Sequence, residues 1–311
     1  MLKSDGISTT KIAEICGVSQ GTVDRALNNR KGISAKTKEK ILKVAEEYGY
    51  RPNIHARCIA NGKSQLIGVV VFDLKNQFFT DILTNIEKIC TSRGYSTVVM
   101  FTDKDSKTEI ECIKNLYHIS VDGIILCPIN SGEEYENYLA TLKIPIVTFG
   151  NKLNSFPYVG IDNGIAMKDV VEHIIKEGYK KLVYVKPKLN EKNTFAQSER
   201  FSQFSQMCEK SGINYTVTDL FSAENEIKNS SSCAVICPTD IYAIKLLSIA
   251  QKYKAGIIGF DNIPLIDELE LKLDSVKYDL TLTAQMAVEY IIDGTPIEKP
   301  ISHSIVERGS I

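Results

Sequence analysis

The chain of 311 residues is too long for one ordinary domain and can bury at least two cores. Its composition, 43% hydrophobic and 24% charged with no low-complexity tract, is that of a soluble globular protein and excludes a fibrous or disordered chain. The net charge of −1 hides an asymmetry. Residues 1–64 hold twelve Lys/Arg against six Asp/Glu, whereas the remainder holds 25 against 32. A small basic head on an acidic body suggests that only the head meets a polyanion.

No run approaches the ~18 apolar residues of a membrane span, and "MLKSDGISTTKIAEICGVS" lacks the basic-then-apolar pattern of a signal peptide. A cytoplasmic protein with no membrane partner is expected. The eight cysteines are scattered, most of them inside apolar runs, and read as buried reduced thiols. Cys233 and Cys237, four apart, lack the two-residue gap of a zinc knuckle. Neither a metal nor a cofactor is expected.

In chain order, Ser8 is placed to cap a first helix with Ile12, Ala13 and Ile15 on its apolar face, and Gly17 to stop it. Ser19 restarts a second helix, in which Val23, Ala26 and Leu27 take the spacing of a buried face. Only Gly17 and Val18 separate the two, as in a helix-turn-helix. A third helix follows Ser34, with an apolar stripe of Ile41, Val44, Ala45 and Tyr48, and ends at Gly49. Three short helices around one small core form the minimal DNA-reading unit.

The segment "YGYRPNIHARCIANGKSQLIGVV" (48–70) resembles, almost position by position, the linker of the lactose-repressor/galactose-repressor (LacI/GalR) family. The head resembles that family through "IAEICGVSQGTVDRALN", and the body through "VDGIILCP", "VGIDN", "ERFSQF", "IIGFDN" and "IVERGSI". The resemblance implies residues 1–52 as head, 53–64 as hinge helix and linker, and 65–311 as a periplasmic-binding-protein-like body. It also implies one lobe of 65–160 with 280–296 and another of 161–279 with 297–311. Pro52 and Asn53 can start a short hinge helix, from Ile54 to Ala60, that Asn61-Gly62 breaks. So short a helix is unstable alone and is expected to fold against its dimer mate in the minor groove, with Asn53, Ala56 and Arg57 on DNA. Ile59 stands where the family wedges a leucine between bases.

From Gln65 onward, apolar strands alternate with amphipathic helices in two series, which predicts two doubly wound parallel-sheet lobes. The candidate strands include 123–128, 215–221 and 255–261, and the candidate helices 79–92, 197–211 and 281–293. In such sheets ligands bind at the carboxyl ends of strands. Just beyond those ends lie Asp73, Asn76, Phe78, Phe149, Asp162, Asp240 and Asp261. Carboxylates, one guanidinium and aromatic walls suit a small polyhydroxylated ligand. The resemblance assigns Arg200 and Asp261 to the family's effector site and places Tyr278 where a glutamine is common. Gln203 replaces the glycine of the family's R-x-x-G-F, and Thr239 replaces an asparagine, so the effector is expected to be atypical.

No G-x-S-x-G, G-x-x-x-x-G-K-[ST] or H-E-x-x-H occurs, so an enzyme is not expected. The expected function is a sequence-specific transcription regulator, a repressor, whose operator affinity is set by a sugar or sugar derivative bound between the lobes. The alternative is a transport-type solute-binding protein with a vestigial head, opposed by the missing signal peptide and the intact linker. The expected partners are a near-palindromic double-stranded operator, a small-molecule effector and a second copy of the chain. The chain stops at Ile311 without a leucine-heptad tail, which predicts a dimer rather than a tetramer.

Within "VSQGTVDRALNNR" (18–30), Ser19 caps the helix and can touch phosphate, Thr22 is placed for phosphate or a thymine methyl, and Arg25 for guanine. Gly21 offers no side chain, so Gln20 carries more of the reading. Ser8, Asn28 and Arg30 complete the residues expected on DNA.

Overall fold

The computed structural model describes residues 7–27, 30–50, 62–188, 194–230 and 232–311. The chain divides into two compact units, Met1–Ser64 and Gln65–Ile311.

The first unit holds three helices, α1 (Thr9–Cys16), α2 (Gln20–Leu27) and α3 (Ala35–Glu47). Each starts on a serine whose hydroxyl accepts an otherwise orphaned backbone N–H. Ser8 takes Lys11 at 3.2 Å, Ser19 takes Thr22 at 3.2 Å and Ser34 takes Thr37 at 3.1 Å. Gly17 ends α1 in the left-handed conformation at φ 67°, where a Cβ is unfavourable. Ile12, Val23 and Ile41, one from each helix, are fully buried and anchor the core, with Cys16 and Ala26 between them. Two expected core residues fall outside it. Ile15 is exposed because Cys16, a full turn from Ile12, takes the inward position. Tyr48 lies past the end of α3, at its C-cap, and is exposed, while Tyr50 packs against the core.

Gly21 lies inside α2, and a Cβ built there meets only the Ser19 hydroxyl, at 3.8 Å. The fold therefore does not need this glycine, which costs the helix up to about 1 kcal/mol relative to alanine. Gly21→Ala is expected to slow hydrogen exchange of the α2 amides in the full-length protein. Unchanged or faster exchange would mean that glycine has a structural role here.

The second unit contains two sheets. The first runs in the order β2-β1-β3-β4-β5, all parallel: β1 (Leu66–Val71), β2 (Ser96–Phe101), β3 (Gly123–Leu126), β4 (Ile146–Phe149) and β5 (Tyr158–Val159). Helices α4 (Gln77–Ser92), α5 (Ser106–His118) and α6 (Glu133–Thr141) connect them. The second runs β11-β10-β9-β8-β6-β7: β6 (Lys181–Val185), β7 (Asn214–Thr218), β8 (Cys233–Ile236), β9 (Gly256–Phe260), β10 (Asp274–Tyr278) and β11 (His303–Val306). All are parallel except the antiparallel β10–β11 pair. This half also carries α7 (Asn163–Lys176), α8 (Phe195–Ser211), α9 (Leu220–Lys228), α10 (Asp240–Tyr253) and the short α11 (Leu265–Glu268).

The last helix, α12 (Leu280–Asp293), packs on α4 and on β3 of the first sheet before the chain returns to β11. That approach depends on Gly123, where a Cβ would come within 2.6 Å of the Ile291 side chain. β1, β3 and β4 are buried along almost their whole length, which explains their continuous apolar runs.

The expected strand 215–221 is shorter. Asp219 accepts the Ser222 N–H at 2.8 Å and so turns Leu220 and Phe221 into the start of α9. The seven described cysteines are all buried.

Candidate ligand cavity and nucleic-acid interface

A cavity of about 320 Å³ opens within the second unit, where loops at the carboxyl ends of strands from both sheets face each other. Asp73, Asn76, Phe78, Phe149, Arg200, Asp261 and Tyr278 all line it. The wall is largely aromatic. Phe78 packs edge-on against Phe79 at 5.1 Å between centroids and tilts against Tyr278 at 6.0 Å.

Arg200 is 6% exposed and held by three contacts. Its Nε donates to Asn163 Oδ1 at 2.8 Å, its Nη1 donates to the Pro238 carbonyl at 3.2 Å, and its guanidinium lies 3.9 Å over the Phe260 ring. No carboxylate lies within ion-pair distance of it among the described residues. Asp261 directly follows β9 at φ 101°, an unusual conformation for a residue with a side chain. Its carboxylate accepts Asn76 Nδ2 at 2.9 Å, and burial pushes its pKa up while the Arg200 charge and the Asn76 hydrogen bond pull it down. Asn76 also caps α4 by accepting the Phe78 N–H at 3.2 Å, and the neighbouring Gln77 accepts the Leu265 N–H at 3.0 Å. The two halves of the body thus touch through the N-terminus of α4.

Sequence reasoning missed Tyr158, Tyr242 and Cys127, which also line the cavity. Burial pushes the Tyr158 hydroxyl up to about 12, and Gly160 leaves the space that this hydroxyl fills. Tyr158 lies on β5 and Tyr242 on α10, and nothing local in the sequence of a strand or helix shows which face looks into a cleft.

Two expected ligand residues do not line this cavity. Asp162 caps α7 by accepting the Ile165 N–H at 2.8 Å and borders a separate depression near residues 297–300. Asp240 is fully buried beneath the loop that carries Asp261. It accepts the Ile263 N–H at 2.9 Å and the Ser275 hydroxyl at 2.6 Å, and the missing Cβ of Gly259 makes room for it. Its chemistry is to fix that loop.

Burial, and then the Asp261 charge, push the Asp240 carboxyl up to about 8. Folded protein therefore holds a proton that unfolded chain releases near pH 4. The resulting stabilisation is full below that pH and is lost as pH rises through 8. Asp240→Asn, neutral at every pH, is expected to gain several degrees of Tm relative to the parent between pH 5.5 and 8.5. A Tm difference that is flat across this range would show that Asp240 stays ionised.

In the first unit, Gln20 and Arg25 are exposed on α2, and Arg25 has no side-chain partner among the described residues. The hydroxyls of Ser19 and Thr22 pair with each other at 2.9 Å, and Arg30 reaches Asp24 at 3.2 Å. Ser8 is exposed at the start of α1. Asn28, Asn53, Ala56, Arg57 and Ile59 lie outside the described residues.

Residues 10–53 match the model of bacterial regulatory proteins of the lacI family. Residues 64–235, more than half the chain, match that of periplasmic binding proteins and sugar binding domain of the LacI family. The chain belongs to the LacI family. Residues 171–311 also match a periplasmic binding protein-like domain. Catabolite control protein A of Priestia megaterium is 28% identical over 327 residues, covering 96% of this chain and 97% of that protein. Its counterpart from Staphylococcus xylosus is 26% identical over 320 residues, with the same coverage.

Among solved structures, the Lac repressor dimer bound to operator and an anti-inducer superposes with a TM-score of 0.83. The identity is 19%, over 99% of this chain and 100% of that one. The CelR–cellobiose complex superposes with a TM-score of 0.65 at 19% identity, over 98% and 99%. These superpositions show the shared fold. As a LacI-family member the chain is a DNA-binding transcriptional regulator, with a helix-turn-helix head and a body of two parallel-sheet halves. The relatives are regulators rather than enzymes. No described helix is long and apolar enough to cross a membrane.

Proposed function

We propose that the protein is a non-enzymatic homodimeric repressor that reads a near-palindromic operator with its basic head, and that a sugar or sugar derivative in the body cavity controls its affinity. The observation that carries this is the convergence of Arg200 and Asp261 on one aromatic cavity in a chain that also carries a helix-turn-helix. A guanidinium donates and a carboxylate accepts, so adjacent hydroxyls can bridge them, while rings such as Phe78 and Tyr278 cover the apolar C–H faces of a sugar ring.

Asp261 is also the residue that Asn76 holds from the other half of the body. A ligand that engages the Asp261 carboxylate competes with or reinforces that bond, and so biases one half against the other. In the dimer that motion changes the spacing of the two hinge segments, whose pairing in the minor groove through Ile59 the operator requires. Residues 1–52 act as the reading head, 53–64 as hinge and 65–311 as the sensing body.

Fluorescence anisotropy of the full-length protein on DNA from upstream of its own gene, against scrambled DNA, is the test. A thermal-shift screen of sugars and sugar derivatives identifies the effector to add, since a ligand at ~100 times its Kd contributes about 2.7 kcal/mol. The expected result is a sequence preference that the stabilising compound shifts. No preference over scrambled DNA, with every candidate compound present or absent, overturns the proposal.

A further inference from the structure

The first residue of α1 and the first residue of α2 are tied together by their side chains: Gln20 Nε2 donates to the Thr9 hydroxyl at 3.0 Å. Neither residue belongs to the core of the head. We infer that Thr9 is a specificity-determining residue that fixes the Gln20 amide for base recognition, so that the two side chains read one base pair as a unit. This rests on the proposal that the head reads an operator, with α2 as the helix that enters the major groove.

An exposed glutamine ordinarily samples many rotamers and loses that freedom when it docks on a base. The Thr9 hydroxyl removes part of this loss in advance. It also occupies one of the two amide N–H groups, leaving the other N–H and the carbonyl oxygen without a side-chain partner among the described residues. One donor beside one acceptor is the pattern that adenine N7 and its N6 amino group require.

The surroundings concentrate the reading on this pair. Gly21 presents no side chain, although the space beside it is open. The Ser19 and Thr22 hydroxyls are tied to each other by one hydrogen bond. Near the start of α2, Gln20 presents a donor beside an acceptor on one planar amide, and Thr9 sets their direction.

The test is selection from a randomised operator library with full-length protein, comparing the parent with Thr9→Val, Thr9→Ser, Gln20→Ala and Thr9→Val/Gln20→Ala. Valine keeps the shape of threonine without the hydroxyl, serine keeps the hydroxyl, and Tm confirms that each variant is folded. Thr9→Val is expected to reduce the preference for adenine by about three- to tenfold at the same base pair that Gln20→Ala relaxes. Thr9→Ser retains the preference, and the double variant matches Gln20→Ala. Uniform weakening on all sequences, a change at a different base pair, or an intact preference in Thr9→Val overturns the role of Thr9. A parent protein with no sequence preference overturns instead the proposal that α2 reads DNA.

Discussion

Arg25→Ala is expected to weaken operator binding by about 1–3 kcal/mol at each half-site, roughly tenfold to a hundredfold. The loss should fall on one base pair per half-site rather than on all sequences alike. Val23 and Ala26 face the core of the head and set the rotation of α2, which leaves Arg25 exposed on the same side as Gly21. Its guanidinium has no side-chain partner among the described residues, so no ion pair has to break before it meets a base. Arg30, by contrast, already reaches Asp24 at 3.2 Å and is suited to a screened phosphate contact. Two heads on a near-palindrome double the cost in free energy, which makes this a severe change for a solvent-exposed side chain. Anisotropy titrations at one fixed salt concentration, on the operator and on operators changed at single base pairs, measure it. If Arg25→Ala weakens every sequence equally and lowers the salt dependence, Arg25 contacts phosphate only.

The helices of the head were legible because their ends are chemical. Ser8, Ser19 and Ser34 satisfy orphaned N–H groups, and Gly17 accepts a left-handed turn, each within a few residues of sequence. The parallel sheets were legible because β1, β3 and β4 are buried on both faces and must be apolar throughout. The direction of a polar side chain beyond a strand was not. Asp240 and Asp261 both follow a strand of the second sheet within four residues, yet one lies under a loop and the other in the cavity. Asp240 is placed by the space beside Gly259 and by the hydroxyl of Ser275, both distant from it in sequence. The Gln20–Thr9 bond was hidden for a related reason, because eleven residues and a turn separate its partners.

The effector response should depend on Arg200 more than on any other residue of the cavity. Arg200→Lys is expected to lower effector affinity roughly 100-fold or more while operator affinity without effector stays within about threefold of the parent. The retained charge makes the lysine variant the informative one. Arg200 uses Nε on Asn163, Nη1 on the Pro238 carbonyl and its flat face on Phe260; it lines the cavity, and its Nη2 has no hydrogen-bond partner among the described residues. An ammonium is a point donor at the end of a flexible stem and cannot hold α7, the loop after β8 and a ligand together. Asn163 Oδ1 or the Pro238 carbonyl then loses its partner in a buried site, at about 1–3 kcal/mol for each group left unsatisfied. The ligand also meets a donor that is no longer pre-positioned. Calorimetric titration of the compound found by thermal shift gives the first number, and anisotropy on operator DNA gives the second. Because a destabilised body could lose effector by unfolding, the Tm of Arg200→Lys must lie well above the assay temperature for the comparison to count. A folded Arg200→Lys protein that binds effector as tightly as the parent would mean that the cavity recognises its ligand by shape and by Asp261, with Arg200 serving only to brace α8.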